Sequence, residues 1–200
     1  MSFPVLQDAE LDALTQVCNA GMEHAAAALS QMMGKGVSIE VPRLQMVHTA
    51  EAGDLLKAQQ VIGLHLQILG HVRGSILILL HEQHARGMLE LLIGRPSPAH
   101  EPLSELEVSA LKEVGNILGS ACLNAFGGML KMPLLPSVPV LFSGEAGEVL
   151  AHALEPPPNG EAIVMIDTMF SLAGASSGGS IVLIPAQASL DAMLTALGAR

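Results

Sequence analysis

Two stretches of this sequence are versions of each other, which leaves its fold few choices. LDALTQVCNAGMEHAAAALSQMMGKG, from Leu11, matches VSALKEVGNILGSACLNAFGGMLKM, from Val108, at one fixed offset. In both, Leu, Val and Ala recur at helical spacing and a glycine-containing stop follows: Gly34 and Gly36 in the first, Gly127 and Gly128 in the second. Ser104 and Glu107, just after Pro102, have the spacing of a capping box, in which a hydroxyl and a carboxylate satisfy unpaired backbone donors at a helix start. A short β-rich piece follows each helix and ends at a proline, SIEVP at Pro42 and PSVP at Pro139. The distance from Asn19 to Pro42 equals that from Asn116 to Pro139.

Further along, RGSILILL before a helix from Glu82 to Ile93 answers GGSIVLIP before a helix from Ala188 to Leu197. That pair sits at a larger offset, so the second copy has gained residues, most simply in the Pro-rich turn sequence from Pro156 to Gly160. Each half therefore reads helix, strand, strand, strand, helix, the first over about 5–96 and the second over about 102–198. Strands are expected near Val37–Val47, Val61–Leu69, Ser75–Leu80, Ser137–Phe142, Ala162–Leu172 and Ser180–Ile184. The second and third strands are separated by only a few residues, Gly70 and Gly74 among them, which suits an antiparallel hairpin and rules out a parallel crossover. SILILL is apolar on both faces, so helices must cover the sheet. The expectation is one α/β domain of the α+β kind over 1–200, with a largely antiparallel sheet and two similar halves about a pseudo-two-fold.

Composition limits the partners. With 19 acids against 9 bases the net charge is -10, which repels nucleic acid, and Phe, at four copies, is the only aromatic available to stack on bases. Mean hydropathy is high at +0.48, but the most apolar stretch, Val61–Leu80, is interrupted by His65, Gln67, His71 and Arg73 and reads as buried strands, not as a membrane span. MSFPVLQDAELDAL has no basic region before an apolar one, so a cytoplasmic protein without a leader is expected. Cys18 and Cys122 lie among small helical residues and read as inert buried thiols, and the 11 Met residues as adaptable core filling.

On the second repeat helix, Ser109, Glu113 and Asn116 stand at i, i+4 and i+7, which groups them on one stripe. Leu106, Ala110, Val114, Ile117 and Ala121 lie mostly on other faces and are expected to anchor the helix to the sheet. By pattern alone the stripe fits a solvated helix face. His81 and His84, at i, i+3 beside Glu82, do not make a zinc motif and read as exposed, and no metal site is expected. The glycines of SSGGS, Ser176–Ser180, lack the Lys-Ser/Thr ending of a phosphate loop and read as a hairpin turn.

The recurrence of the polar pattern carries a family resemblance. Ser109-x-x-x-Glu113-x-x-Asn116, followed at distance by Pro139, resembles the phosphatase signature of the CheC/CheX/FliY family of chemotaxis proteins, and Asp12-x-x-x-Gln16-x-x-Asn19 with Pro42 resembles it with one change. The likeness covers nearly the whole chain, because CheC proteins are themselves duplicated in this way. It implies dephosphorylation of the aspartyl-phosphate on a CheY-like response regulator. Asn116 would orient the attacking water, since its carbonyl can accept from the water while its amino group donates to a phosphoryl oxygen. Glu113 would pair with a lysine in the regulator. The magnesium ion would belong to the regulator, leaving this chain without a cofactor of its own. Gln16, a neutral amide, cannot make that charged pair, so the resemblance implies a degenerate second site at Gln16 and Asn19. Asp12 reads equally well as helix N-terminal charge, and Ser109 and Pro139 as helix surface and strand termination. The resemblance leaves an adaptor reading open, since CheC-like proteins also bind the CheD deamidase and relatives of the fold contribute to the flagellar switch.

Overall fold

The computed structural model of the chain describes residues 8–56, 59–70, 72–99, 101–154, 162–172 and 174–196. Its elements run α1 (Asp8–Met33), β1 (Val37–His48), α2 (Ala52–Leu55), β2 (Gln60–Leu69), β3 (Gly74–His81), α3 (Glu82–Ile93), α4 (Glu105–Leu130), β4 (Leu135–Pro136), β5 (Val140–Glu145), α5 (Ala146–Ala153), β6 (Ala162–Leu172), β7 (Ala175–Pro185) and α6 (Gln187–Ala196). The strands form one sheet in the order β1-β6-β7-β3-β2, with β4 and β5 sharing the outer edge of β2, and every pairing is antiparallel. This is the mixed α/β, largely antiparallel arrangement that the sequence predicts. The order is symmetrical about the β7–β3 pair, with β1 laid against the β6–β7 hairpin at one end and β5 against the β2–β3 hairpin at the other.

Both faces of the sheet are covered. Leu64, Leu66, Ile76, Ile78 and Leu80 face a core shared with α1, α3, α4 and α6, while Val61, Leu77, Leu79 and Ile163 face a smaller one closed by Ala52 of α2 and by Val149 and Leu150 of α5. Neither α2, of four residues, nor α5, of eight, is announced by the sequence. The insertion expected at Pro156–Gly160 lies outside the described residues.

Two glycine readings change. Helix α4 runs through Gly127 and Gly128 to Leu130 and ends at Lys131, whose left-handed φ of 53° does the work expected of a glycine. Gly127 serves a close approach instead, since a Cβ there would lie 2.6 Å from the Met132 carbonyl oxygen. The Ser176–Ser180 run is not the hairpin turn: it lies inside β7, where Gly178, Gly179 and Ser180 pair with Met169, Thr168 and Asp167, and the turn falls at Gly174, φ 86°. Gly179 is required in the strand because a Cβ would meet the Leu79 carbonyl oxygen at 2.8 Å and the Phe170 ring at 2.9 Å.

Candidate functional site

The start of α4 is fixed by a buried polar network. Ser104 caps the helix, and Glu107 reaches back to accept from the Ser104 backbone N–H at 2.8 Å and its hydroxyl at 2.6 Å, completing the predicted capping box. The other Glu107 oxygen accepts from the Ser97 hydroxyl at 2.6 Å, and Ser97 in turn accepts from Arg86 at 3.3 Å. Hydrogen bonds from Ser104 and then Ser97 hold the Glu107 carboxyl down at about 2. Arg86 also donates to the Ala99 and Glu101 carbonyls and pairs with Glu82 at 2.8 Å, pinning the proline-rich connection to α3. The sequence shows only the Ser104–Glu107 half of this network, since nothing in local spacing ties Arg86 to Ser97.

The bed of α4 is set by small residues. A Cβ on Gly115 would lie 3.0 Å from Leu64, and one on Gly119 3.0 Å from Leu66, so the helix sits close on β2. On another side, a Cβ on Gly21 of α1 would meet the Ala121 carbonyl oxygen and the Ala125 Cβ, each at 2.9 Å. At about 100° per residue, Asn116 then lies on the side of α4 turned away from α1, toward β5. Ser109 and Glu113 fall between that direction and solvent. Of the residues expected to anchor the helix, Val114 and Ala121 are buried and Ala110 and Ile117 pack on the core, but Leu106 is 56% exposed and takes no part.

Glu113 and Ser109 are exposed and Asn116 is half-buried. Among the described residues none of the three side chains makes a hydrogen bond or ion pair, so both ends of the Asn116 amide and the Glu113 carboxylate are free for a partner. Pro139 is buried just before β5. In the first half, Asp12 and Gln16 are likewise exposed, but Asn19 is committed. Its Oδ1 accepts from the Val41 N–H at 2.9 Å, and its Nδ2 donates to the Thr15 carbonyl at 3.1 Å and the Val41 carbonyl at 3.4 Å. Val41 and the exposed Pro42 sit where β1 slips register against β6, between Glu40 and Arg43, so the Asn19 amide serves backbone groups that the sheet leaves unpaired.

Neither His81, at the end of β3, nor His84 of α3 joins this stripe. His84 packs on Phe170 with centroids 5.8 Å apart, and burial and the neighbouring His81 push its pKa down. Both line a cavity of about 950 Å³ between α3 and the β6–β7 hairpin, far from Glu113 and Asn116 in the sequence and bordered by neither. Among the described residues, no group of three or more His, Cys, Asp or Glu is placed to hold a metal, and no helix is long and apolar enough to cross a membrane. Cys18 and Cys122 are both buried, with burial pushing Cys18 up to about 12 and Cys122 upward as well.

A carboxylate and an unpaired amide one turn apart, on the outside of a helix and not in a cleft, cannot enclose a small substrate. They can complete a site that another macromolecule brings. The chain is 29% identical over 204 residues to the CheY-P phosphatase CheC of Bacillus subtilis, covering 98% of each. Its structure resembles that of Thermotoga maritima FliY, with a TM-score of 0.79 at 17% identity over 97% of this chain and 98% of that one. The FliM middle domain from H. pylori resembles it at TM-score 0.70 and 12% identity, over 98% of this chain and 100% of the other. No family model matches the chain.

Proposed function

This chain belongs to the CheC/CheX/FliY family of chemotaxis proteins, and from that premise we propose that it hydrolyses the aspartyl-phosphate of a CheY-like response regulator in the cytoplasm. The observation that carries the reading is the free pair on α4: an exposed Glu113 and an Asn116 whose amide has no partner among the described residues. Full-length similarity to a CheY-P phosphatase supports the same substrate class. The proposal also takes the two halves as copies of one unit in a single domain over 1–200.

The reaction asks mainly for positioning. Asn116 Oδ1 accepts a hydrogen bond from a water, and Nδ2 donates to a phosphoryl oxygen, which holds the water in line with the bond to the aspartyl oxygen. Attack on phosphorus forms the new P–O bond as the old one breaks, releasing inorganic phosphate and the free aspartate. The regulator's own magnesium neutralises the phosphoryl charge. Glu113 pairs with the regulator's lysine and fixes the register of α4 in its pocket. At Gln16 and Asn19 neither role is available, because the carboxylate is missing and the amide is already bonded to Val41.

The test is phosphate release from an autophosphorylated regulator with magnesium. Wild-type protein should accelerate it, and Asn116→Ala or Glu113→Ala should lose on the order of 10²–10³ of that acceleration. Equal decay with and without the protein sinks the reading. The similarity to FliM supports the second reading, an adaptor on the same helices that binds a flagellar-switch protein or CheD without hydrolysis.

A further inference from the structure

Lys112 is the one base within α4, and it stands beside the free asparagine. Gly115 rests on Leu64 of β2. With that direction as zero, about 100° per residue puts Lys112 at about 60°, Asn116 at about 100° and Glu113 at about 160°, so the three run in that order from the sheet edge at β5 toward open solvent. Lys112 and Asn116 are at i and i+4, where side chains on a helix surface are neighbours. The Lys112 side chain is half-buried, and among the described residues it makes no hydrogen bond and no ion pair, with Glu113 or any other acid.

The other cations near the start of α4 are engaged. Arg86 is taken up by Glu82, Ser97 and two backbone carbonyls, and Arg95 donates to the Ser104 hydroxyl at 3.3 Å. At the same spacing before Asn19 stands Thr15, whose hydroxyl donates to the Leu11 carbonyl at 2.8 Å. The committed amide thus has a neutral, bonded neighbour, and the free amide a cationic, unbonded one. We propose that Lys112 reads the phosphoryl group: its ammonium donates to a phosphoryl oxygen while Asn116 holds the water, and the chain thereby favours the phosphorylated regulator over the unphosphorylated one. The proposal rests on the partner named in the phosphatase reading above.

Charge makes such a group necessary. At a net charge of -10 the chain as a whole is repelled by the negative charge that phosphorylation adds, so any preference for the phosphorylated form has to come from a local contact that outweighs this repulsion. Glu113 is an acid and works against it. Ser109 is neutral, and so is Asn116, one end of which is taken by the water. Lys112 alone on this side of α4 gains from the added charge, because a hydrogen bond between an ammonium and a phosphoryl oxygen is about twice as strong as one between neutral groups. Its flexible stem can bridge the single helical turn to the oxygens that the Asn116 amide contacts.

The test compares wild type with Lys112→Ala, Lys112→Gln and Lys112→Arg. Two quantities are read: the Kd for a CheY-like regulator with and without beryllofluoride, which stands in for the aspartyl-phosphate, and the kcat/KM of phosphate release from the phosphorylated regulator. In the alanine and glutamine variants the Kd for the beryllofluoride form should rise on the order of 10–10²-fold, while the Kd for the bare form should not move. The kcat/KM should fall by the same factor, and Lys112→Arg, which keeps the charge, should retain most of both. A rise of both Kd values together, or of neither, overturns the assignment, as does a Lys112→Arg variant no better than Lys112→Gln; phosphate release by wild type then leaves the phosphatase reading standing. A wild type that favours the beryllofluoride form through Lys112 but releases no phosphate overturns the phosphatase reading and keeps the assignment. A wild type that binds the two forms equally overturns the assignment.

Discussion

Replacing each of the two motif asparagines by alanine should give opposite results, because one amide holds the fold and the other makes no hydrogen bond among the described residues. Val41 is 4% exposed and lies in the irregularity of β1, so removing Asn19 Oδ1 leaves a buried N–H with nothing to bond. An unpaired buried donor costs about 1–3 kcal/mol. Alanine returns up to about 0.7 kcal/mol of helix propensity, for a net loss of roughly 1–2 kcal/mol. The Thr15 carbonyl loses little, since it already accepts within the helix. In a chain of this length each kcal/mol moves Tm by about 2–4 °C, so Asn19→Ala should melt roughly 2–8 °C lower. Asn116 breaks no hydrogen bond when it is replaced, and Asn116→Ala should hold or slightly raise Tm.

Activity should divide the other way. Asn116→Ala should lose on the order of 10²–10³ of phosphate release, while Asn19→Ala, assayed well below its own melting point, should keep nearly all of it. Thermal melts by circular dichroism and single-turnover phosphate release provide the four numbers. If Asn116→Ala melts as low as Asn19→Ala, or if Asn19→Ala abolishes turnover with its Tm intact, the assignment of the two amides is refuted.

The low pKa of Glu107 predicts an acid limb in the stability profile. With the folded carboxyl at about 2 against an ordinary 4.5, its contribution is complete above 4.5 and disappears as pH falls from there toward 2. Urea midpoints between pH 2.5 and 6 should therefore depend less steeply on pH in Glu107→Gln than in wild type. Gly21→Ala should destabilise by about 1–3 kcal/mol despite better helix propensity, because its Cβ meets the fixed backbone oxygen of Ala121 at 2.9 Å; chemical denaturation measures it. Lys131→Gly should stabilise by up to about 1 kcal/mol in the same assay, since it relieves a left-handed φ of 53°. Cys18 and Cys122 should ignore a thiol reagent such as DTNB in the native state and both react in guanidinium, given their burial and raised pKa values.

Most strand positions, the long helices, the β2–β3 hairpin and the capping box were legible in sequence because each is a local pattern: a period, a turn, a three-residue spacing. The strand expected at Ser137–Phe142 is instead β5 at Val140–Glu145, with residues 137–139 outside any strand. What escaped is decided across the sheet. Gly127 looks like a stop, yet its need is space for the Met132 carbonyl, and the left-handed turn falls to Lys131, which no propensity nominates. SSGGS looks like a turn, yet Gly179 is there so that Phe170 and Leu79 can close over β7. Leu106 shares the apolar composition of α4 but sits beyond its bed, which Gly115 and Gly119 define from the β2 side.

The two asparagines carry this point into function. Motif spacing makes Asn19 and Asn116 equal, and they would be equal if each had only a helix around it. Asn19 differs because β1 breaks register beside it and leaves the Val41 N–H and carbonyl for it to satisfy. Near Pro139 the chain leaves the sheet differently, between the short β4 and β5, and Asn116 keeps its amide. One occurrence of the motif spacing is therefore a structural fastening, while the other leaves its amide unbonded among the described residues. Position 16 carries Gln, not Glu, beside an amide already bonded to Val41, so on the proposed reading a carboxylate at that position has no free amide beside it to act with.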